Sequence, residues 1–265
     1  LETPYNGNPQ SVEGITVNGL LDGHTLSGLD ASATGTEVGI YDSLVTGTAK
    51  IVDKNENDVT NRYNIMVVDG YLKITPISDK LTVIITGNIA SKVYSGNEQS
   101  VEGYTSNAPS GVTVALAEES MAVAKGIDAG TYKMGLDVKD FEVSSKNYSN
   151  IEVVVVDGYL EITPITEKLK VTVTGNTASK VYTGNEQSVE GYSSNAPADV
   201  TIALVEGKTA VAKGTNAGTY KMGLTAEDFE ASSENYSNIE VVVVDGSLEI
   251  TPITEKLKVT VTGNT

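Results

Sequence analysis

The sequence contains no cysteine and no tryptophan, and only one histidine and two phenylalanines in 265 residues. Without cysteine there is no disulfide, no thiol nucleophile and no thiolate metal site. The single His24 excludes multi-histidine metal sites. In the loop Asp22-Gly23-His24 it also lacks the nucleophile and orienting partner that general-base catalysis needs. Cations are scarce too, 18 Lys+Arg against 35 Asp+Glu, for a formal charge of −17. Phosphate backbones and anionic membrane surfaces both demand clustered cations, so neither nucleic acid nor a membrane is an expected partner. No apolar run is long enough to span a bilayer. The chain opens on Leu1 without a signal peptide and closes inside a repeat. We read it as a segment of something longer, with any export signal or anchor outside it.

What the sequence does have is repetition. Ala90–Thr177 reappears as Ala178–Thr265 with about 71 of 88 positions identical. Gly-Asn-Glu-Gln-Ser-Val-Glu-Gly-Tyr stands at Gly96–Tyr104 and Gly184–Tyr192, and Ala-Gly-Thr-Tyr-Lys-Met-Gly-Leu at Ala129–Leu136 and Ala217–Leu224. Residues 1–89 are a diverged third copy, anchored by Tyr5-Asn6-Gly7, Gln10–Gly14 and Val67–Pro76. Each copy has the size of a small autonomous domain rather than of a solenoid repeat. Pro-bearing linkers at Thr75–Lys80, Thr163–Lys168 and Thr251–Lys256 suggest boundaries, because proline cannot donate to a sheet ladder. Cut there, the modules are 1–78, 79–166 and 167–265, the last being 167–253 with a trailing strand 257–265. Cut at the chain ends instead, three whole copies result, and Leu257–Thr265 must pair back on its own module.

The local patterns read as strands. Leu169–Thr174, Val112–Leu116 and Tyr132–Leu136 alternate apolar with polar residues, the mark of half-buried strands. The unbroken β-branched run Val153–Val156 predicts a strand covered on both faces. Asp69-Gly70, Asp157-Gly158 and Asp245-Gly246 predict two-residue hairpin turns with positive φ. Helix is confined to single turns at Thr225–Phe229 and Asp137–Phe141, with Thr225 as a cap. The fold class is mainly β: three small modules in tandem, an immunoglobulin-like sandwich or alternatively a β-grasp-like fold. Short Pro-containing linkers and like charge on every module predict an extended, monomeric rod.

Candidate sites are few. Asp53, Asn55 and Asn57 superficially resemble a calcium loop, but Asp58 and Asn64 stand where an EF-hand needs glycine and glutamate, so a polar turn is the better reading. Lys133 and Lys221 could form a Lys–Asn crosslink only if buried, and alternation puts them on the wet face. Asn147-Tyr148-Ser149 and Asn235-Tyr236-Ser237 match a glycosylation acceptor by coincidence. The tyrosines are the most distinctive side chains. Tyr104, Tyr192, Tyr148 and Tyr236 recur in register and could stack on sugar rings if exposed. A chain so poor in Phe and Trp needs large apolar volume from tyrosine, which favours a core role. No residue set predicts catalysis, and no cofactor is implied.

Taken together, Tyr-x-Gly-Asn-Glu-Gln-Ser-Val-Glu-Gly-Tyr, Ala-Gly-Thr-Tyr, Asp-Phe, Asn-Tyr and Val-Asp-Gly-Tyr-Leu-Glu-Ile-Thr-Pro resemble MBG-like repeats of bacterial surface and adhesin-like proteins, notably of gut Gram-positives. The resemblance covers essentially the whole chain, more weakly in residues 1–89. It implies an extracellular, cell-surface or cell-wall location and a non-catalytic stalk or spacer. The alternative it leaves open is an adhesin-type module that binds host glycan, mucin or protein.

Overall fold

A computed structural model describes residues 1–263. Strands and three 3-10 turns make up the regular structure, and no α-helix occurs among the described residues. The chain forms two compact units. The first holds Leu1–Asn88, Glu102–Val123 and Lys133–Gly158, and the second holds Ile89–Val101, Ala124–Tyr132 and Tyr159–Thr265. The Pro-bearing linkers after Thr75 and Thr163 therefore lie inside units. The division runs through the middle copy, at Asn88/Ile89 and Gly158/Tyr159.

The third copy lies wholly in the second unit and shows how the residues build a module. Leu169–Gly175 is a central strand, parallel to Ile239–Val244 and antiparallel to Tyr192–Ser194. Its alternation places Val171 and Val173 on one face, both fully buried. A second layer covers that face, the antiparallel pair Thr201–Leu204 and Phe229–Ser232, through Ile202, Leu204 and Phe229. After Gly175-Asn176 the chain resumes as Thr177–Val181, parallel to Ser247–Thr251, which also pairs with Gly218–Lys221. Here Leu248 and Ile250 are buried beneath the pair Gln187–Glu190 and Val211–Gly214. One copy thus makes two small sandwiches of three strands on two, threaded by the same pair of parallel strands. This is the expected sandwich architecture, with a parallel pair at its centre.

The Asp-Gly dipeptides are not hairpin turns. Thr174 pairs with Val244 and Thr177 with Ser247, so both strands cross the Asp245-Gly246 step in unbroken parallel register. Gly70, Gly158 and Gly246 are absent from the positive-φ glycines. Glycine is needed instead for close approach. A Cβ on Gly246 would lie 2.6 Å from the Asn176 carbonyl oxygen and 2.8 Å from the Gly175 carbonyl carbon. A Cβ on Gly158 would meet Asn88 and Gly87 in the same way, at 2.5 and 2.7 Å. The aspartate caps the neighbouring loop: Asp157 accepts from the N–H groups of Gly135 and Leu136, as Asp245 does from Gly223 and Leu224. A second expectation also fails. Ile151–Val156 is not covered on both faces, because Val154 and Val156 stay 40% and 49% exposed while Val153 and Val155 pack inward.

The single-turn helices do form, as 3-10 turns at Val138–Asp140 and Ala226–Asp228, each closed by a capping box from Asp137 or Thr225. In the first unit the same construction recurs. Leu81–Gly87 lies between Ile151–Val156 and Tyr104–Ser106, over the pair Val112–Leu116 and Phe141–Ser145. In the second unit Ile89–Val93 runs parallel to Tyr159–Thr163. The first copy has one complete sandwich, Glu2–Pro4, Gly70–Thr75 and Gly39–Ser43 over Gln10–Glu13 and Ser32–Gly35, with Leu72 and Ile74 buried. Beside it Thr25–Asp30 pairs with Thr46–Val52. The expected trailing strand 257–265 does not form among the described residues: Leu257, Val259 and Val261 are 88%, 76% and 90% exposed, and its last two residues lie outside the described range.

Candidate functional site

Two of the repeats carry a joint built on a buried asparagine. Asn147 is 1% exposed and Asn235 3%, and every polar atom of both side chains has a partner. In the second unit Asn235 Oδ1 accepts the Ala129 N–H at 2.7 Å, and Nδ2 donates to Asp128 Oδ1 at 3.0 Å and Asp199 Oδ2 at 3.2 Å. In the first unit Asn147 Oδ1 accepts the Val38 N–H at 3.2 Å and Nδ2 donates to Glu37 Oε2 at 2.5 Å. Each asparagine therefore reads one backbone N–H and one carboxylate that come from the preceding copy, more than a hundred residues away. A buried amide satisfied on all sides fixes one geometry, because any displacement strands polar groups away from water.

Local sequence prepares both halves. On the asparagine side, the Ser145 and Ser233 hydroxyls accept the Asn147 and Asn235 N–H groups. The Asn147 and Asn235 carbonyls receive the N–H groups of Ile77 and Ile165, so each linker is pinned to the module it leads into. On the receiving side, the tyrosine of the Gly-x-Tyr stretch holds the loop. Tyr132 donates to the Asp128 carbonyl at 3.0 Å and Tyr41 to the Glu37 carbonyl at 2.9 Å. Their rings lie so close over Gly126 and Gly35 that a Cβ there would meet ring carbons at 2.2 Å. A second tyrosine pair closes each joint edge to face: Tyr5 with Tyr148 at 6.1 Å, Tyr94 with Tyr236 at 6.0 Å.

Electrostatics follow this geometry. Hydrogen bonding to Asp199, with burial second, pushes the Tyr94 hydroxyl above its ordinary range. Burial pushes Asp199 upward, but the bonds from Tyr94 and Asn235 outweigh it and leave the carboxyl below the usual carboxylate range. Asp199 has no counterpart in the middle copy, where Gly111 takes its place and approaches Asn147 directly.

The four tyrosines singled out from the sequence fall into two groups. Tyr104 and Tyr192 pack edge to face on Phe141 and Phe229, both at 4.9 Å, and donate to the Val114 and Ile202 carbonyls. Tyr148 and Tyr236 are the half-buried rings of the joints. Asp53 accepts the N–H groups of Asn55 and Asn57 and the Asn57 amide, which makes it the acceptor of a polar turn, and these bonds lower its pKa. His24 Nδ1 shares a 2.7 Å hydrogen bond with the Tyr63 hydroxyl. Lys133 and Lys221 are exposed. The asparagines themselves went unread in the sequence, since Asn-Tyr-Ser matched a glycosylation acceptor. Their recurrence at an 88-residue spacing, just after a strand, was the available signal.

No family model matches the chain, and no curated protein matches it. Among solved structures it is similar to the four N-terminal Ig domains of Dscam1 isoform 9.44, at 12% identity over 95% of this chain and 70% of that one, with a TM-score of 0.23. Sidekick-1 immunoglobulin domains 1–5 match at 10% identity over 94% and 56%, TM-score 0.17. A SusE-like surface located polysaccharide binding protein of Bacteroides thetaiotaomicron matches at 10% over 87% and 36%, TM-score 0.15. Superpositions this loose carry no functional argument.

Proposed function

We propose that the chain is a non-catalytic structural spacer of a bacterial cell-surface protein, made of MBG-like repeats. The observation that supports this best is the duplicated joint. Asn147 and Asn235 each tie the module that carries them to the copy before it, through one backbone N–H and one carboxylate of that copy. A spacer must transmit position along its length, and a saturated, buried linkage does so where a free linker would not. Tyr104, Tyr192, Tyr148 and Tyr236 serve packing and these joints, which takes those four rings away from a sugar-binding face.

Two measurements test the proposal. Small-angle scattering of the chain as a monomer should give a radius of gyration near 30 Å for three modules end to end, against about 18 Å for one compact body of this length. A glycan array should stay silent for the whole chain. Avid binding to host glycan or mucin would replace the spacer reading by the adhesin-type one.

A further inference from the structure

The third copy starts and finishes on one pair of parallel strands. Leu169–Thr174 runs along Ile239–Val244 and Thr177–Val181 along Ser247–Thr251, in a single register. The pairing reaches beyond the strands at both ends. Upstream, Ile165 bridges Tyr236 in the same parallel sense. There the Ile165 N–H donates to the Asn235 carbonyl at 2.9 Å, the Ser237 N–H to the Ile165 carbonyl at 3.0 Å and the Leu169 N–H to the Asn238 carbonyl at 2.9 Å. Downstream, the Tyr182 N–H donates to the Thr251 carbonyl at 2.8 Å. One parallel ladder therefore runs from Ile165 to Tyr182 along Asn235 to Thr251. The covering pairs, Gln187–Glu190 with Val211–Gly214 and Thr201–Leu204 with Phe229–Ser232, all lie between its two strands in sequence.

This arrangement fixes how the copy meets tension. The chain enters the ladder at Ile165, just after Pro164, and leaves it at Thr251, just before Pro252. Because the strands are parallel, entry and exit lie at opposite ends of the ladder. A pull along the chain drags the two strands past each other along their own axes. All the rungs are loaded at once, and the ladder opens only when many fail together. Antiparallel first and last strands would put entry and exit at the same end, and the rungs would peel one at a time. The joint acts alongside the ladder. Asn235, tied to Asp128 and to the Ala129 N–H of the preceding copy, stands at the start of the second strand. Load taken up there reaches Thr251 along that strand without passing through residues 183–234.

We propose that the third copy is a force-bearing module, in which the parallel first and last strands form a shear clamp that keeps residues 183–234 folded while the chain is under tension. The proposal rests on the spacer reading, since a spacer is what carries tension. The pairing it depends on also stands in the first unit, where Leu81–Thr86 runs parallel to Ile151–Val156 and Glu2–Pro4 to Lys73–Thr75.

Single-molecule pulling on the whole chain tests it. The sequence has no cysteine, so introduced cysteines give unique handles. E167C/E255C puts the handles at opposite ends of the ladder, and E186C/E255C puts them at neighbouring ends. All three glutamates are exposed. At one pulling speed E167C/E255C should rupture at a several-fold higher force than E186C/E255C, because forced unfolding reads the barrier along the direction of load. Its rupture should be a single step of about 250 Å, the extended length of roughly ninety residues less that of the folded ladder. Both variants should keep the wild-type denaturation midpoint, so that the difference reports the direction of pull and not stability. Equal rupture forces overturn the proposal. So does stepwise opening of E167C/E255C at the force that peels E186C/E255C. Either result leaves the radius of gyration and the glycan array, on which the spacer reading stands, unchanged.

Discussion

Gly246→Ala tests the close approach at the kink, and Gly70→Ala is its internal control. At Gly246 an added methyl meets the Asn176 carbonyl oxygen at 2.6 Å, the Gly175 carbonyl carbon at 2.8 Å and the Met222 sulfur at 2.6 Å. The methionine can move aside, but the backbone atoms belong to the paired strand and cannot. Forced overpacking of this kind costs about 1–3 kcal/mol. Against it stands a gain of about 0.4–1 kcal/mol from the reduced freedom of the unfolded chain. The net loss should be about 0–2.6 kcal/mol and about 1.3 kcal/mol at mid-range, which raises the open population of the third copy about tenfold. At Gly70 the nearest atom to a new Cβ is the Ser43 Cβ at 3.9 Å, on the antiparallel neighbour Gly39–Ser43. Gly70→Ala should therefore be neutral, or stabilising by about 0.4–1 kcal/mol. Native-state hydrogen exchange on Val171, Val173, Leu248 and Ile250 reads the first variant, and exchange on Leu72 and Ile74 reads the second. Equal effects of the two substitutions would refute the argument, because they would show that conformation at Asp-Gly, and not contact across the kink, sets the need for glycine.

Asn235→Leu should cost about 1–3 kcal/mol, by stranding the Ala129 N–H and leaving Asp128 and Asp199 facing each other; a denaturation midpoint equal to wild type would deny the joint any energetic role. Phe229→Ala removes a ring that is 6% exposed against Tyr192 and should cost about 3–5 kcal/mol, seen as early loss of the third copy's exchange protection. Asp228 is held down to about 2 by the Lys208 ammonium and then by Thr225, from an ordinary value of 3.8. Its folded pKa lies below that of the unfolded chain, so its contribution is full above pH 4 and is lost as pH falls from about 4 to about 2. Lys208→Ser, which copies Ser120 of the middle repeat, should flatten that acid dependence; an unchanged profile would remove the ion pair from the account.

The strands and the repeats were legible because alternation and self-similarity are local properties. Leu169–Thr174 and Val112–Leu116 were read within a residue of their observed bounds. Val-Asp-Gly was misread because it carries two signals at once. Its glycine looks like turn chemistry, yet the dipeptide serves contacts with a strand seventy residues earlier, and no window of sequence displays that. The same blindness hid Asn147 and Asn235. Their partners Glu37 and Asp128 precede them by more than a hundred residues, and nothing local marks either acid as a receptor.

The ambiguity over where to cut the repeats has a physical origin. Both sequence cuts assumed that a module is a contiguous stretch with its own core. The structure instead threads one pair of parallel strands through two cores, and it binds each linker back through Ile77 or Ile165 to the module that follows. A cut at the prolines severs those linker bonds. A cut at Ala90 or Ala178 falls just after the Gly-Asn step and splits a central strand from its continuation. Every cut leaves an orphan, either a strand without a sheet or a sheet without its middle strand. The repeat unit of the sequence and the cohesive unit of the fold are out of phase by one strand.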